Sequence, residues 1–148
     1  MARYDKYDPY DGGFRAPLAA DFGTLTNGAD LGKIWAVSLD TNGKIVKVNA
    51  TAGQTNDQSC GVMILTMERY AGDVVDIMTD GEITDIQQTT PWDNMSAAVT
   101  AGSRYFVNTT NDGSLIKVAA PVAGTNYTLV GRTVESNRLI VRCRPYQG

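Results

Sequence analysis

Three segments of this chain share one short pattern: a turn glycine, an apolar residue two positions later, and another five positions later. They are Gly43/Ile45/Val48, Gly81/Ile83/Ile86 and Gly113/Leu115/Val118. Each glycine closes a small cluster of Asp, Asn or Thr that follows an apolar run. Asn-Gly and Asp-Gly between apolar runs signal hairpins, because the tightest turns need residues that accept positive φ. The expected pairs are 34–39 with 44–48, 73–79 with 82–86, and 105–107 with 114–118, with Gly43, Gly81 and Gly113 as their turn glycines. The apolar run 61–67 reads as a central strand, and 127–130 with 138–143 complete the set. Such punctuation confines the chain to a mostly-β fold, a small barrel or a sandwich built from repeated hairpins. One short helix is expected over 91–99: Thr90 can cap it, Pro91 suits its first position, and Asp93 suits its positive end.

The hairpins also repeat at longer range. At a constant offset of 70 residues, Val37 matches Val107, Gly43 matches Gly113, and Lys47-Val48 match Lys117-Val118. Ala50 matches Ala120, Thr55-Asn56 match Thr125-Asn126, and Gly61 matches Gly131. The expectation is two similar β units packed on each other, the competing reading being a coincidence of turn chemistry.

Residues 1–30 differ from the rest and are expected to form an extended N-terminal arm, leaving 31–148 as the β domain. No period holds there, and Pro9, Gly12, Gly13, Pro17, Gly23 and Gly28 interrupt any regular element. Yet Tyr4, Tyr7, Tyr10, Phe14 and Phe22 crowd it, whereas disordered segments are poor in aromatics. The segment therefore reads as ordering against a surface, its own domain or another subunit, with a plain disordered tail as the alternative. The Tyr-Asp repeat at 4–5, 7–8 and 10–11 matches a polyproline-II turn with the tyrosines on one side. A calcium site on its aspartates lacks the Gly and Glu of known calcium loops.

With 148 residues the chain suits one domain. It has no histidine, which removes the commonest general base and metal ligand. No Walker loop, dinucleotide fingerprint or close cysteine pair is present, so neither an enzyme nor a cofactor is expected. The net charge of −3 argues against nucleic acid as a partner, since such binding rests on clustered cations. Charge is uneven: 70–103 holds six acids and no base, while the C-terminal stretch carries Arg132, Arg138, Arg142 and Arg144 against Glu135. This reads as two solvated faces or as complementary charge between copies. Cys60 and Cys143 read as buried thiols, a bridge between them staying open. No apolar run approaches the ~20 residues of a membrane helix, and the opening MARYDKYDPY has no signal core. No membrane partner is expected, and synthesis in the cytosol is.

The run Ala71-Gly72-Asp73-Val74-Val75-Asp76-Ile77-Met78-Thr79-Asp80-Gly81-Glu82-Ile83 resembles a motif of phage head decoration (capsid cement) proteins. Gly131–Ser136 followed by Leu139–Cys143 looks like that family's closing pair of strands. The opening Tyr4–Pro9 and Gly12–Asp21 is similar to head decoration proteins from phages of actinobacteria. The resemblance implies a small β protein that often trimerises, made in the host cytoplasm and bound to the outer surface of the phage head. Its implied partners are the major capsid protein, at capsomer junctions, and further copies of itself. It implies that an N-terminal arm grips the shell, with Arg3, Tyr4, Tyr7, Tyr10, Phe14 and Arg15 as contacts; 20 extended residues reach roughly 70 Å. A β-sandwich carbohydrate module is the other class considered, with Trp92 and Tyr105 as an aromatic platform.

Overall fold

The computed structural model describes residues 12–23, 30–48, 61–86, 94–95, 99–108 and 112–148. Its strands are β1 (Gly13–Pro17), β2 (Trp35–Leu39), β3 (Ile45–Lys47), β4 (Gly61–Met63), β5 (Val74–Met78), β6 (Asp80–Ile83), β7 (Arg104–Val107), β8 (Leu115–Lys117), β9 (Asn126–Glu135) and β10 (Arg138–Gln147). They form two five-stranded antiparallel sheets, ordered β1-β5-β4-β2-β3 and β6-β10-β9-β7-β8. Neither closes into a barrel, so the fold is sandwich-like. No helix of the described residues is long and apolar enough to cross a membrane.

The two orders are the same order, with β6 to β10 taking the places of β1 to β5. The likeness extends to register. Val37 lies opposite Lys47 and Gly61, as Tyr105 lies opposite Lys117 and Gly131. Past each first strand the chain returns to the far edge of its own sheet: Leu18 bridges Ile45, and Met95 bridges Leu115. The sequence match of Val37 with Val107 is displaced, because the β7–β8 connection is two residues longer than the β2–β3 one. In space Val37 corresponds to Tyr105.

Local chemistry builds the β2–β3 hairpin. The Asp40 carboxylate accepts hydrogen bonds from the Asn42 and Lys44 backbones at 2.8 and 2.9 Å, and Gly43 takes φ 73°. The β7–β8 turn also has a left-handed glycine, Gly113 at φ 72°. The second expected hairpin does not form. β5 already has β1 and β4 as neighbours, so no edge is left for β6. The chain instead crosses at Thr79 to the other sheet, where β6 pairs with β10. Gly81 is therefore no turn glycine: it lies in β6 opposite Val141. A Cβ there would stand 2.8 Å from the sulfur of the flexible Met78 side chain.

The helix expected over 91–99 is absent at its described residues. Asn94 has φ 49°, and Met95 is buried in a parallel bridge to Leu115. Met95 fills the position that Leu18 fills in the first unit, and that core contact overrides local helix preference. The other residues of that helix lie outside the described ones, except Val99. The expected 1–30 arm also contains part of the body. Residues 13–17 form β1, Leu18 and Phe22 are buried, and the Gly12 carbonyl accepts from the backbones of Thr79 and Asp80.

Two apolar clusters hold these layers. Ala36 and Val62 from the first sheet join Tyr105, Val107, Leu115, Val130, Leu139 and Val141 from the second in the inter-sheet core. Strand alternation sends Trp35 and Val37 to the opposite face, where they pack with Leu18, Phe22, Ile45, Met63 and Ile77. The Gly113 turn fastens the sheets together. Its carbonyl accepts from Ala36 N at 2.8 Å, its N–H donates to the Val48 carbonyl, and the Asn94 amide donates to the Ile34 carbonyl.

Candidate functional site

Of the six expected contact residues, Arg3, Tyr4, Tyr7 and Tyr10 lie outside the described residues. Phe14 and Arg15 belong to β1, an edge strand whose neighbour is β5. Phe14 packs against the outer apolar cluster. Arg15 Nε lies 3.0 Å from Asp76 Oδ1. Both side chains are largely exposed, so this pair adds little stability and stays open to exchange with a partner. Beside β1 the two sheets part in a cleft of about 480 Å³, lined by Phe14, Arg15, Ile64, Met78 and Ile83 among others. Gly12 lines it too.

The aromatic residues near Trp35 form one set. Trp35 is buried, its indole N–H donates to the Asp30 carbonyl at 2.9 Å, and Phe22 meets it edge-on with centroids 5.8 Å apart. Lys47 Nζ sits 3.8 Å from the Trp35 ring centroid and 2.9 Å from the Asp30 carboxylate. This cluster cements the outer core, and Phe22, Asp30 and Lys47 also line a cleft of about 290 Å³. Tyr105 is fully buried between the sheets, which removes it from any sugar-stacking platform. Trp92 lies outside the described residues, as do Cys60 and the aspartates of the Tyr-Asp repeat. Cys143 is half-buried against the inter-sheet core. Among the described residues, no group of three His, Cys, Asp or Glu is placed to hold a metal ion.

Two surfaces stand out that hairpin reading did not find. One is a corner around Tyr70. Its phenol is held above the ordinary tyrosine range, first by a hydrogen bond to Glu68 and that carboxylate's charge, then by Asp21 and Asp73. Asp21 accepts from Ala71 N and Asp73 from Tyr70 N, both at 2.8 Å, which gathers the acids around one turn. Met67, Tyr70 and Val74 are exposed beside them. The other is the outer face of the second sheet, where Phe106 lies under Tyr127 and Tyr146 with centroids 5.3 Å away in each case. Arg104 donates to the Tyr146 hydroxyl at 2.6 Å, and Arg132 and Arg144 stand exposed nearby on adjacent strands. The basic C-terminal stretch signalled that surface in sequence; its aromatic floor carried no comparable signal. Tyr70 is exposed and Tyr127 and Tyr146 are half-buried, so each surface sets aromatic rings beside fixed charge.

Neither a family model nor a curated protein matches the sequence. Among solved structures, a chain from Mycobacterium phage Patience is similar, with a TM-score of 0.63 at 19% identity. The likeness covers 99% of this chain and 97% of that one, so the two share a fold from end to end.

Proposed function

We propose that this chain is a structural virion protein, a decoration subunit that binds the outer surface of a phage head at capsomer junctions and braces the shell. The observation that carries the reading is the end-to-end fold likeness to a chain of phage origin. The motifs 71–83 and 131–143, with their resemblance to head decoration proteins, support it from the sequence. In this reading the protein works by contact and carries no catalysis or cofactor. Its partners are the major capsid protein and other copies of itself, as a trimer on the virion. Residues 1–11 grip the shell, reaching at most about 40 Å when extended. The duplicated sheets form a body stiff enough to resist strain between capsomers. Many copies on one lattice bind jointly, so each contact can be weak.

The test is co-sedimentation with expanded, undecorated heads. Full-length protein should pellet with the heads, and a variant lacking residues 1–11 should stay in the supernatant while keeping its fold. The deletion ends at Asp11 because the Gly12 carbonyl holds the crossing at Thr79 and Asp80. Failure of the full-length chain to pellet sinks the reading, and equal binding of both sinks the role of the arm.

A further inference from the structure

One row of cross-strand neighbours occupies the same place in both sheets. In the first it runs Ala36, Val62, Met78, Gly13. In the second it runs Arg104, Arg132, Ile140, Glu82. The first row is apolar and lies beneath the second sheet, with Ala36, Val62 and Met78 in or against the inter-sheet core. The second row is on the face turned away from that core, since Tyr105 and Val107 fill the inward positions of β7.

This outward face carries an unresolved charge. Arg104 and Arg132 are directly opposed, an arrangement that destabilises a sheet. In the next row Arg144 stands opposite Leu129. None of the three arginines has a carboxylate partner among the described residues. Arginine and tyrosine over an apolar floor is the composition of binding surfaces, and a negative partner would relieve the opposed charges. The same chain bears the complement: Glu68, Asp21 and Asp73 gathered at Tyr70, with Met67 and Val74 57% and 49% exposed beside them.

We propose that the outer face of the second sheet docks the acidic Tyr70 corner of a second copy of this chain, head to tail. The contact joins two different patches, so successive copies close into a ring or continue as a chain according to the rotation between them. The proposal rests on the decoration reading only for its expectation that copies meet side by side. It is measured on the isolated protein, so its failure and the failure of head binding are separate results.

The experiment is sedimentation-velocity analysis of the full chain over a range of concentrations in 0.05 to 1 M salt, buffer values chosen for roughly 14 and 3 Å screening lengths. Self-association that weakens with salt is expected. R132E with R144E should weaken it by about a hundredfold or more, because like charges are then juxtaposed. Both positions are exposed, and an unchanged thermal transition verifies that folding is intact. Adding E68R and D73R to the same chain should restore association. A monomer at every concentration, association indifferent to R132E/R144E, or no restoration in the fourfold variant each overturns the proposal. The last outcome would mean that the arginines meet some other acidic surface.

Discussion

In the first sheet the row Ala36, Val62, Met78 is apolar and covered; in the second, the matching Arg104, Arg132 and Ile140 face outward. Strand order and register are shared, so backbone architecture does not set the difference. Position in the stack does. At this row the first sheet is covered on both faces, by the second sheet on one side and by Leu18, Phe22 and Leu31 on the other, while Arg15, Val74 and Asp76 toward its β1 edge stay exposed. In the second sheet Phe106 and Leu129 are buried on the outer side, but the matching Arg132 stands exposed there. Duplication of one β unit thus yields one structural sheet and one sheet with a surface to spare.

The sharpest way to break this comparison is to exchange side chains between equivalent positions. V62R places an arginine where the second sheet has Arg132, but under the inter-sheet core without a partner. The expected loss is about 4 kcal/mol, read from urea unfolding. The reverse exchange, R132V, should change stability by no more than about 0.5 kcal/mol, because its side chain leaves an exposed site. Similar losses in both variants would mean that the two faces are not differently covered.

The turn glycines offer a second, smaller contrast. At Gly43 a Cβ meets nothing within 4 Å, so G43A costs only the left-handed backbone, about 1 kcal/mol. At Gly113 a Cβ would stand 2.8 Å from the Trp35 ring and 3.1 Å from Lys47 Cβ. G113A adds that clash, for about 3 kcal/mol in total. Equal midpoints for the two variants in a denaturant series would remove Gly113 as the fastening between sheets. The smallest effect concerns the acidic corner. Glu68 is the leading cause that raises the Tyr70 phenol, so E68Q should bring its titration back down toward 10.0. Ultraviolet titration against Y70F reads this directly, and an unmoved transition would separate Glu68 from Tyr70.

The hairpin at Asp40–Gly43 was legible in the sequence because every interaction that makes it is local. The 70-residue echo was legible because the turn glycine and the strands after it keep one offset, Gly43 with Gly113, Lys47 with Lys117 and Gly61 with Gly131. β1 was not, since its five residues show no alternation and take their order from pairing with β5. The basic stretch near the C-terminus was plain as composition, but not which face it occupied. Between Tyr105 and Phe106 the register with β9 slips, so Val130 is left over and both it and Gly131 sit on the inner side. A slip of this kind changes which face every following residue occupies, and no local pattern reports it.

The sequence by itself determined the menu of strands and tight turns, because side chain–backbone hydrogen bonds and left-handed glycines act over a few residues. Only the tertiary structure decided which sheet each strand joined. A strand has two edges, and once β1 and β4 occupy those of β5, the next segment must find its hydrogen bonds elsewhere. That competition carried β6 across to β10, turned an expected hairpin into the crossing between two like sheets, and left Arg132 and Arg144 exposed on the outer side of the second.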